Sequence, residues 1–263
     1  MSGYSLEMSK VRVSSSGPVL VLTITRPQVR NCVDGETATE IGRAIEEFAH
    51  DPDHHVMVIT GEGDKAFCAG ADLRNADTLM RHEFTDRAGP MGFAALDPGK
   101  PTIAAINGVC VAGGLELAAW CDFRIADEKA TFGALNRRWG VPFLDGGTQR
   151  FPRIVGLGNA LYLMETGARF DAAAALRMGF VQEVVSAGRS LDRALELAQH
   201  IASYPQSSIR SDRHATLGGL GAPLAEGLRI EAVLGREVLD DPQMREGLAA
   251  FDEGRRPEPP LAP

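Results

Sequence analysis

Two short stretches rich in small side chains carry the residue types best suited to chemistry in this chain. The first is AFCAGADL at residues 66–73, and the second is NGVCVAGGLEL at residues 107–117. Small residues such as Gly70 and Gly113 let a ligand approach the main chain. Where such a stretch leads into a helix, the unpaired N–H groups of the first turn carry a partial positive charge and can bind an oxyanion. Both stretches are therefore candidate binding sites for a polarised carbonyl group.

The second stretch also contains an acid, Glu116, three residues after Gly113. Three residues are close to one helical turn, so the Glu116 side chain and the Gly113 amide can face the same pocket. Leu115, Leu117 and Ala118 flank this acid and indicate a buried segment, in which a carboxylate needs a partner or a purpose. The spacing thus pairs a donor that polarises a carbonyl group with a candidate general base.

The two stretches together resemble the two signature segments of the enoyl-CoA hydratase (crotonase) superfamily. TRPQVRNCVD at residues 25–34, TFG at residues 131–133 and GGTQRFPRIVG from residue 146 are similar to further landmarks of that family, so the resemblance covers nearly the whole chain. It implies that the amides of Ala71 and Gly113 bind the thioester oxygen of an acyl-CoA and stabilise an enolate beside it. It also implies an acyl-CoA path lined by Ala69, Ala71, Asp72, Leu73, Arg74, Gly113 and Gly114.

One position departs from the pattern of the family's hydratases, in which two glutamates hold one water. Glu116 matches the first glutamate, but the position of the second, four residues after Phe132, holds Asn136. An amide does not donate a proton and recover it near neutral pH. Asp145, just before a Gly-Gly pair, is a candidate replacement. Capping of a helix or bracing of the turn is the alternative role for Asp145.

The resemblance favours hydration of a 2-enoyl-CoA in fatty-acid or related acyl-CoA metabolism, with Glu116 as general base. Two alternatives stay open. One is a single-carboxylate isomerase, decarboxylase or hydrolase with the same oxyanion pocket, and the other is an acyl-CoA binding protein without turnover. Arg30 and Lys65 are candidates to meet the CoA phosphates. Residues 79–97 are expected to set the depth of the acyl pocket, and their sequence does not predict the acyl chain length.

The chain is acidic overall, so an anionic ligand would have to be bound by positively charged residues or N–H groups close to its site. The chain has 263 residues and a formal net charge of -8, without a basic stripe, which argues against nucleic-acid binding. No secretory signal opens the chain and no run of about 18 apolar residues indicates a membrane span, so we expect a cytoplasmic protein. Cys32, Cys68, Cys110 and Cys121 lack metal-binding spacing. We expect no metal and no cofactor besides the CoA of the substrate.

The pattern of apolar residues predicts an α/β protein that positions these segments. Alternating Val11 and Val13, a Ser-Ser-Gly-Pro turn and a β-rich run at residues 19–25 predict a hairpin. Helical spacing follows over residues 35–50. Strands are then predicted near residues 56–59, 102–106, 109–111, 122–126 and 130–132, with a helix from Gly113. By resemblance, residues 1–190 form a crotonase-like spiral of repeated β-β-α turns.

The last part of the chain, residues 191–263, changes to a helical pattern. Apolar spacing predicts helices over residues 191–201, 224–240 and 243–251, before a proline-rich end. The resemblance implies that this C-terminal region assembles homotrimers or dimers of trimers.

Overall fold

The structure, a computed structural model, describes residues 5–7, 9–80, 89–255 and 259. The strands are β1 (Ser5–Glu7), β2 (Val11–Ser16), β3 (Val19–Ile24), β4 (Val56–Gly61), β5 (Ala66–Cys68), β6 (Thr102–Ile106), β7 (Val109–Val111), β8 (Phe123–Asp127), β9 (Thr131–Gly133), β10 (Arg169–Asp171) and β11 (Glu183–Val185). The helices are α1 (Gly35–His50), α2 (Ala76–Met80), α3 (Gly113–Trp120), α4 (Gly147–Val155), α5 (Leu157–Thr166), α6 (Ala172–Arg177), α7 (Ser190–Ala202), α8 (Gln206–Gly219), α9 (Leu224–Leu239) and α10 (Pro242–Asp252).

The N-terminal hairpin and the first long helix confirm the predictions from periodicity. β2 and β3 pair antiparallel, with Val13 opposite Leu22, and the chain turns between them at Gly17, whose φ of 57° suits glycine. Asp34 caps α1 by accepting a hydrogen bond from the amide of Thr37. Such a cap satisfies one of the four N–H groups that the first turn of a helix leaves unpaired.

The strands form two sheets that lie on either side of the main core. The larger sheet has the order β1-β2-β3-β4-β6-β8-β11, and the smaller one has the order β10-β9-β7-β5. The pairs from β3 to β11 in the first sheet are parallel, as are β5, β7 and β9 in the second. Successive pairs of strands, β4 with β5, β6 with β7 and β8 with β9, thus give one strand to each sheet. This alternation is the predicted spiral of β-β-α turns.

The first two functional stretches lie at equivalent places in this spiral. AFCAGADL leaves the small sheet at β5, and NGVCVAGG leaves it at the adjacent parallel strand β7. Because parallel neighbours have their carboxyl ends at the same edge of a sheet, the two stretches are brought side by side. Part of the segment expected to set pocket depth, residues 81–88, lies outside the described residues.

The C-terminal helices differ in how they pack. α7 covers the outer face of the large sheet, where Ala194 and Ala198 are buried against β-strand residues such as Val58 and Ile103. α9 and α10 have no buried residue within the described part of the chain. The helix α8, for which no periodic pattern was singled out, packs against α9. The predicted boundary at residue 190, between a spiral core and a C-terminal assembly region, stays a prediction. Helix α7, which follows this boundary, packs on the large sheet of the core.

Among the described residues, no helix is both long enough and apolar enough to span a membrane.

Candidate active site

The two small-residue bends touch each other at Gly70 and Gly113. A Cβ atom built on Gly70 would lie 2.8 Å from the amide nitrogen of Gly113, and Gly70 has a φ of +91°. Both the close approach and the positive φ require glycine at this position. The bends therefore present their main chains to the same place.

The amides of Ala71 and Gly113 are left without a protein acceptor at this meeting point. Val33 N–H donates to Gly70 O at 2.9 Å, and Asp72 N–H donates to Val33 O at 2.8 Å. Ala71 lies between these two bonds, in a parallel bridge with Val33. Gly113 is the first residue of α3, whose first-turn amides lack partners within the helix. Neither the Ala71 nor the Gly113 amide donates a hydrogen bond within the described part of the chain.

The local structure at Ala71 differs from the predicted helix start. Asp72 precedes a 3-10 turn at Leu73–Asn75, and α2 follows that turn. The Ala71 amide therefore lacks an acceptor because of its place in the extended bridge with Val33, whereas the Gly113 amide lacks one because it lies in the first turn of a helix. In an extended strand, successive N–H groups point to opposite sides, which leaves every second amide available.

Glu116 is a buried carboxyl group on the first turn of α3. All eight residues of that helix are buried, because its side chains are apolar on every face except at Glu116. Glu116 Oε1 accepts hydrogen bonds from Gly147 N–H at 2.8 Å and from Asp145 N–H at 2.9 Å. Burial, together with the nearby charge of Asp145, raises the pKa of Glu116 to about 8, although backbone amides oppose this rise.

Asp145 is a second buried carboxyl group beside Glu116. Its Oδ1 atom accepts a hydrogen bond from Met91 N–H at 2.9 Å. Burial raises the pKa of Asp145 to about 6, while the Met91 amide and the charge of Arg150 act in the opposite direction. α4 begins after Gly146 without a side-chain cap, so the helix-capping alternative for Asp145 is wrong. Its structural contact braces the distant segment at Met91.

Asn136 occupies the position of the missing second glutamate, in a 3-10 turn at Leu135–Trp139. Its Nδ2 atom donates to Val141 O at 2.8 Å, which fixes the orientation of the amide. The Oδ1 atom is buried without a hydrogen-bond partner in the described residues. An amide in this state can accept a hydrogen bond, but it cannot act as the second acid.

A cavity of about 330 Å³ brings these groups together. Glu116, Asp145 and Asn136 are its polar side chains, and the Ala71 and Gly113 main chains also line it. Its remaining lining residues are mostly apolar: Ala69, Leu73, Ala76, Leu79, Pro90, Met91, Val111, Ala112, Leu135, Trp139, Val141, Pro142, Phe143 and Leu144. An apolar pocket with two free amides and two carboxyl groups can bind a carbonyl compound and exchange protons with it.

Comparison with known proteins decides the family. A family model described as "Enoyl-CoA hydratase/isomerase" matches residues 14–259. The crotonyl-CoA hydratase of Syntrophomonas wolfei is 36% identical over 240 residues, which cover 90% of this chain and 92% of that one. The short-chain-enoyl-CoA hydratase of Clostridium acetobutylicum is 33% identical over 257 residues, covering 96% and 98%. The chain belongs to the enoyl-CoA hydratase/isomerase family.

The three-dimensional comparison agrees with this assignment and confirms the predicted fold. The crystal structure of an enoyl-CoA hydratase from Bacillus anthracis superposes with a TM-score of 0.88 at 32% identity, covering 95% of this chain and 98% of that one. The predicted membership of the crotonase superfamily, and with it a hydratase-like enzyme, is therefore confirmed.

A second cavity, of about 400 Å³, adjoins the first in this member of the enoyl-CoA hydratase/isomerase family. It shares Ala69, Val111 and Leu135 with the first cavity. The predicted candidates Arg30 and Lys65 line it, together with Arg169, which the sequence reasoning missed. Arg169 lines this cavity because β10 pairs with β9, with Arg169 opposite Gly133. These two residues are 36 positions apart, so no local sequence pattern predicts their pairing.

Three residues expected on the acyl-CoA path of this family member lie elsewhere. The Asp72 carboxylate is buried against Arg26 Nη2 at 3.0 Å and also accepts a hydrogen bond from Asn75. Gly114 packs against a neighbouring strand, because a Cβ there would lie 2.0 Å from Cys68 O. Arg74 is exposed, and it lines neither of the two cavities described above. Ala69, Ala71, Leu73 and Gly113 do line the first cavity.

Proposed function

We propose that this protein adds water to the double bond of a 2-enoyl-CoA, with the amides of Ala71 and Gly113 as its oxyanion hole. The observation that carries the proposal is the contact between the two bends, which places two unpaired amides beside Glu116 in one apolar cavity. Removal of one donor from such a hole typically raises a barrier by about 3 to 4 kcal/mol. Preorganised amides therefore supply a large part of the required stabilisation.

The geometry supports a specific sequence of events. The thioester oxygen accepts hydrogen bonds from the two amides, which draws electrons from the double bond and makes Cβ electrophilic. A water oxygen bonds to Cβ while a base takes one proton from that water, the displaced electron pair forms an enolate, and Cα then takes a proton from an acid. Glu116 lines the same cavity as the two amides. Its pKa near 8 favours the role of proton donor at neutral pH over the general-base role expected from sequence.

The second cavity is a suitable place for the CoA part of the substrate. Arg30, Lys65 and Arg169 bring three positive charges to its wall in a chain with a net charge of -8. Guanidinium and ammonium groups bind phosphate oxygens through charge-assisted hydrogen bonds. The shared walls of the two cavities would let one thioester extend from the phosphates to the oxyanion hole. No cofactor beyond this CoA enters the proposed reaction.

An isomerase is the second candidate function, favoured by Asn136 at the position of the second glutamate. A single carboxylate can remove a proton from one carbon of an enoyl thioester and return it to another, without a held water. The same oxyanion hole would stabilise the enolate between the two transfers.

The proposed setting is acyl-CoA metabolism in the cytoplasm, with a homotrimer or dimer of trimers as the assembly. Leu224 on α9 is 79% exposed, Leu239 60% and Leu248 on α10 55%, and burial of such side chains against further copies of the chain would favour assembly. Sedimentation equilibrium over a concentration series would measure this assembly, and a monomer at micromolar concentration would contradict it.

Crotonyl-CoA provides the direct test of the function. We expect loss of its conjugated thioester absorbance on addition of enzyme, with 3-hydroxybutanoyl-CoA as the product identified by mass spectrometry. Glu116→Gln should lower turnover by about 100-fold or more while acyl-CoA binding is retained. Glu46→Gln, at an exposed position on α1, is the matched control.

Products distinguish the alternatives. Movement of the double bond in 3-enoyl-CoA, without gain of water, would favour the isomerase. Tight acyl-CoA binding with no turnover of any enoyl thioester would contradict both enzyme proposals.

A further inference from the structure

The carboxyl groups of Glu116 and Asp145 are fixed close to one another. The amide of Asp145 donates to Glu116 Oε1 at 2.9 Å, so the backbone of one acid binds the side chain of the other. Because the carboxyl oxygens of an aspartate lie within about 5 Å of its own amide nitrogen, the two groups are at most about 8 Å apart. The two carboxyl groups are therefore close enough to act on one small substrate group in the cavity that both line.

Asp145 has one bound oxygen and one available oxygen. Oδ1 accepts from Met91 N–H, and no donor reaches Oδ2 among the described residues. Oδ2 is not fully enclosed, and Asp145 lines the same cavity as Glu116. Asp145 is 3% exposed, and a carboxyl held so far from solvent needs a compensating role.

We propose that Asp145 is the second catalytic carboxyl group of this site, acting with Glu116 on the water and on Cα of a 2-enoyl-CoA. This inference rests on the proposed function, because it assigns the base that hydration requires and that Asn136 cannot supply. A carboxyl group from the loop before α4 then replaces one from the 3-10 turn at Leu135–Trp139.

The proton inventory of the pair supports this division of roles. The pKa of Asp145 is raised to about 6 and that of Glu116 to about 8, in both cases chiefly by burial. Between these values the pair holds one proton, which leaves one base and one acid. Among the described residues, the other charged or titratable groups that act on the pair are Arg150 of α4 and the thiol of Cys68, and Arg150 also interacts with Cys121 and Asp97. Burial keeps the pKa of both thiols above their ordinary range, so they stay neutral.

The step balances in atoms and electrons. Asp145 removes one proton from water, the water oxygen bonds to Cβ, and the electron pair of the double bond moves to the thioester oxygen between the two amides. The enolate then collapses as Cα takes the proton of Glu116. The proton gained by Asp145 passes to Glu116, which restores the pair, and the net change is addition of one water.

A purely structural role for Asp145 is distinguishable because asparagine preserves the acceptor for Met91 N–H. Asp145→Asn keeps that hydrogen bond and removes the titratable group, whereas Asp145→Ala removes both. We expect Asp145→Asn to lower kcat for crotonyl-CoA by about 100-fold or more, with KM within about threefold of the wild type. The limb of the kcat/KM profile near pH 6 should also disappear.

Asp127→Asn is the matched control, because Asp127 is a buried carboxylate that accepts hydrogen bonds from two backbone amides, of Gly188 and Ser190, away from the first cavity. It should leave kcat and the pH profile unchanged. Infrared difference spectra give a readout without turnover. The protonated-carboxyl band of Glu116 should titrate near pH 8 in the wild type and at lower pH in Asp145→Asn, because the charge of Asp145 is removed.

The outcomes separate the two proposals. A wild type that hydrates crotonyl-CoA, with Asp145→Asn within threefold of it in kcat, would overturn the role of Asp145 alone and leave it as a brace for Met91. An infrared band that is unaffected by Asp145→Asn would do the same. A wild type that hydrates no enoyl-CoA would overturn the proposed function and this inference with it.

Discussion

Met91 lies directly against Gly113, so that a Cβ atom on Gly113 would come within 2.2 Å of Met91 Sδ. Met91 is 1% exposed, and its amide is held by Asp145. One residue from the segment before β6 therefore covers the helix terminus that offers the Gly113 amide, and it is anchored by one of the two acids. Met91, Gly113 and Asp145 are therefore packed together, with Met91 in contact with both of the other residues.

Gly113→Ala should destabilise the protein through this contact. The added methyl group would displace Met91, and overpacking of this kind costs about 1–3 kcal/mol. Urea unfolding measures the effect, and the same substitution in a Met91→Ala background should cost clearly less, because the colliding sulfur is gone. Equal costs in the two backgrounds would show that Met91 does not press on Gly113.

The raised pKa of Glu116 should make stability fall with increasing pH. The unfolded group titrates near 4.5 and the folded one near 8, so between these values the folded state binds one more proton than the unfolded state. The free energy of unfolding then decreases by about 1.4 kcal/mol per pH unit from this group. Glu116→Gln keeps an acceptor for the amides and lacks the titration. Its stability relative to the wild type should therefore rise from pH 5 to pH 8, and a constant difference would contradict the prediction.

Removal of the charges of Lys65 and Arg169 should weaken binding of the CoA part without altering the chemical step. We expect Lys65→Ala/Arg169→Ala to raise KM for crotonyl-CoA by about tenfold, with kcat nearly unchanged. The crotonyl thioester of N-acetylcysteamine, which has no phosphates, is the control substrate and should show no change. An equal loss with both thioesters would place the two cations away from the phosphates.

Asp72→Asn should lower the stability of the protein although Asp72 does not line the first cavity. Its carboxylate accepts from the buried guanidinium of Arg26, which also pairs with Asp34 at 3.1 Å. Loss of one partner of a buried pair costs about 3–5 kcal/mol, although Asp34 compensates for part of this. Thermal and urea unfolding measure the loss, with Asp64→Asn on an exposed loop as control. Wild-type stability in Asp72→Asn would show that Asp34 alone satisfies Arg26.

The same substitution should also affect catalysis indirectly. Asp72 follows Ala71, and its anchoring helps to hold the bridge to Val33 that orients the Ala71 amide. A lower kcat with little change in KM would agree with a disturbed oxyanion donor.

Local sequence determined the elements and the two bends. The apolar spacing of α1, the alternation in β2 and the small residues around Gly70 and Gly113 depend on neighbours within a few positions, and the structure has each of them where it was predicted. The order and residue types of the two stretches along the chain also indicated the family that the comparisons confirm. The sequence analysis did not predict α8, because its sequence has little apolar periodicity. Packing against α9 stabilises this helix instead.

Tertiary structure alone decided which side chains meet. The bond between Asp145 and Glu116 joins residues 29 apart, that between Asp72 and Arg26 joins residues 46 apart, and Arg169 reaches its cavity through strand pairing. Such partners are selected by packing and by the need of every buried charge for a counterpart, which no short-range pattern encodes. The sequence could therefore nominate Asp145 and Asp72 as candidates, while the fold placed the first in the cavity lined by Glu116 and the second in an ion pair.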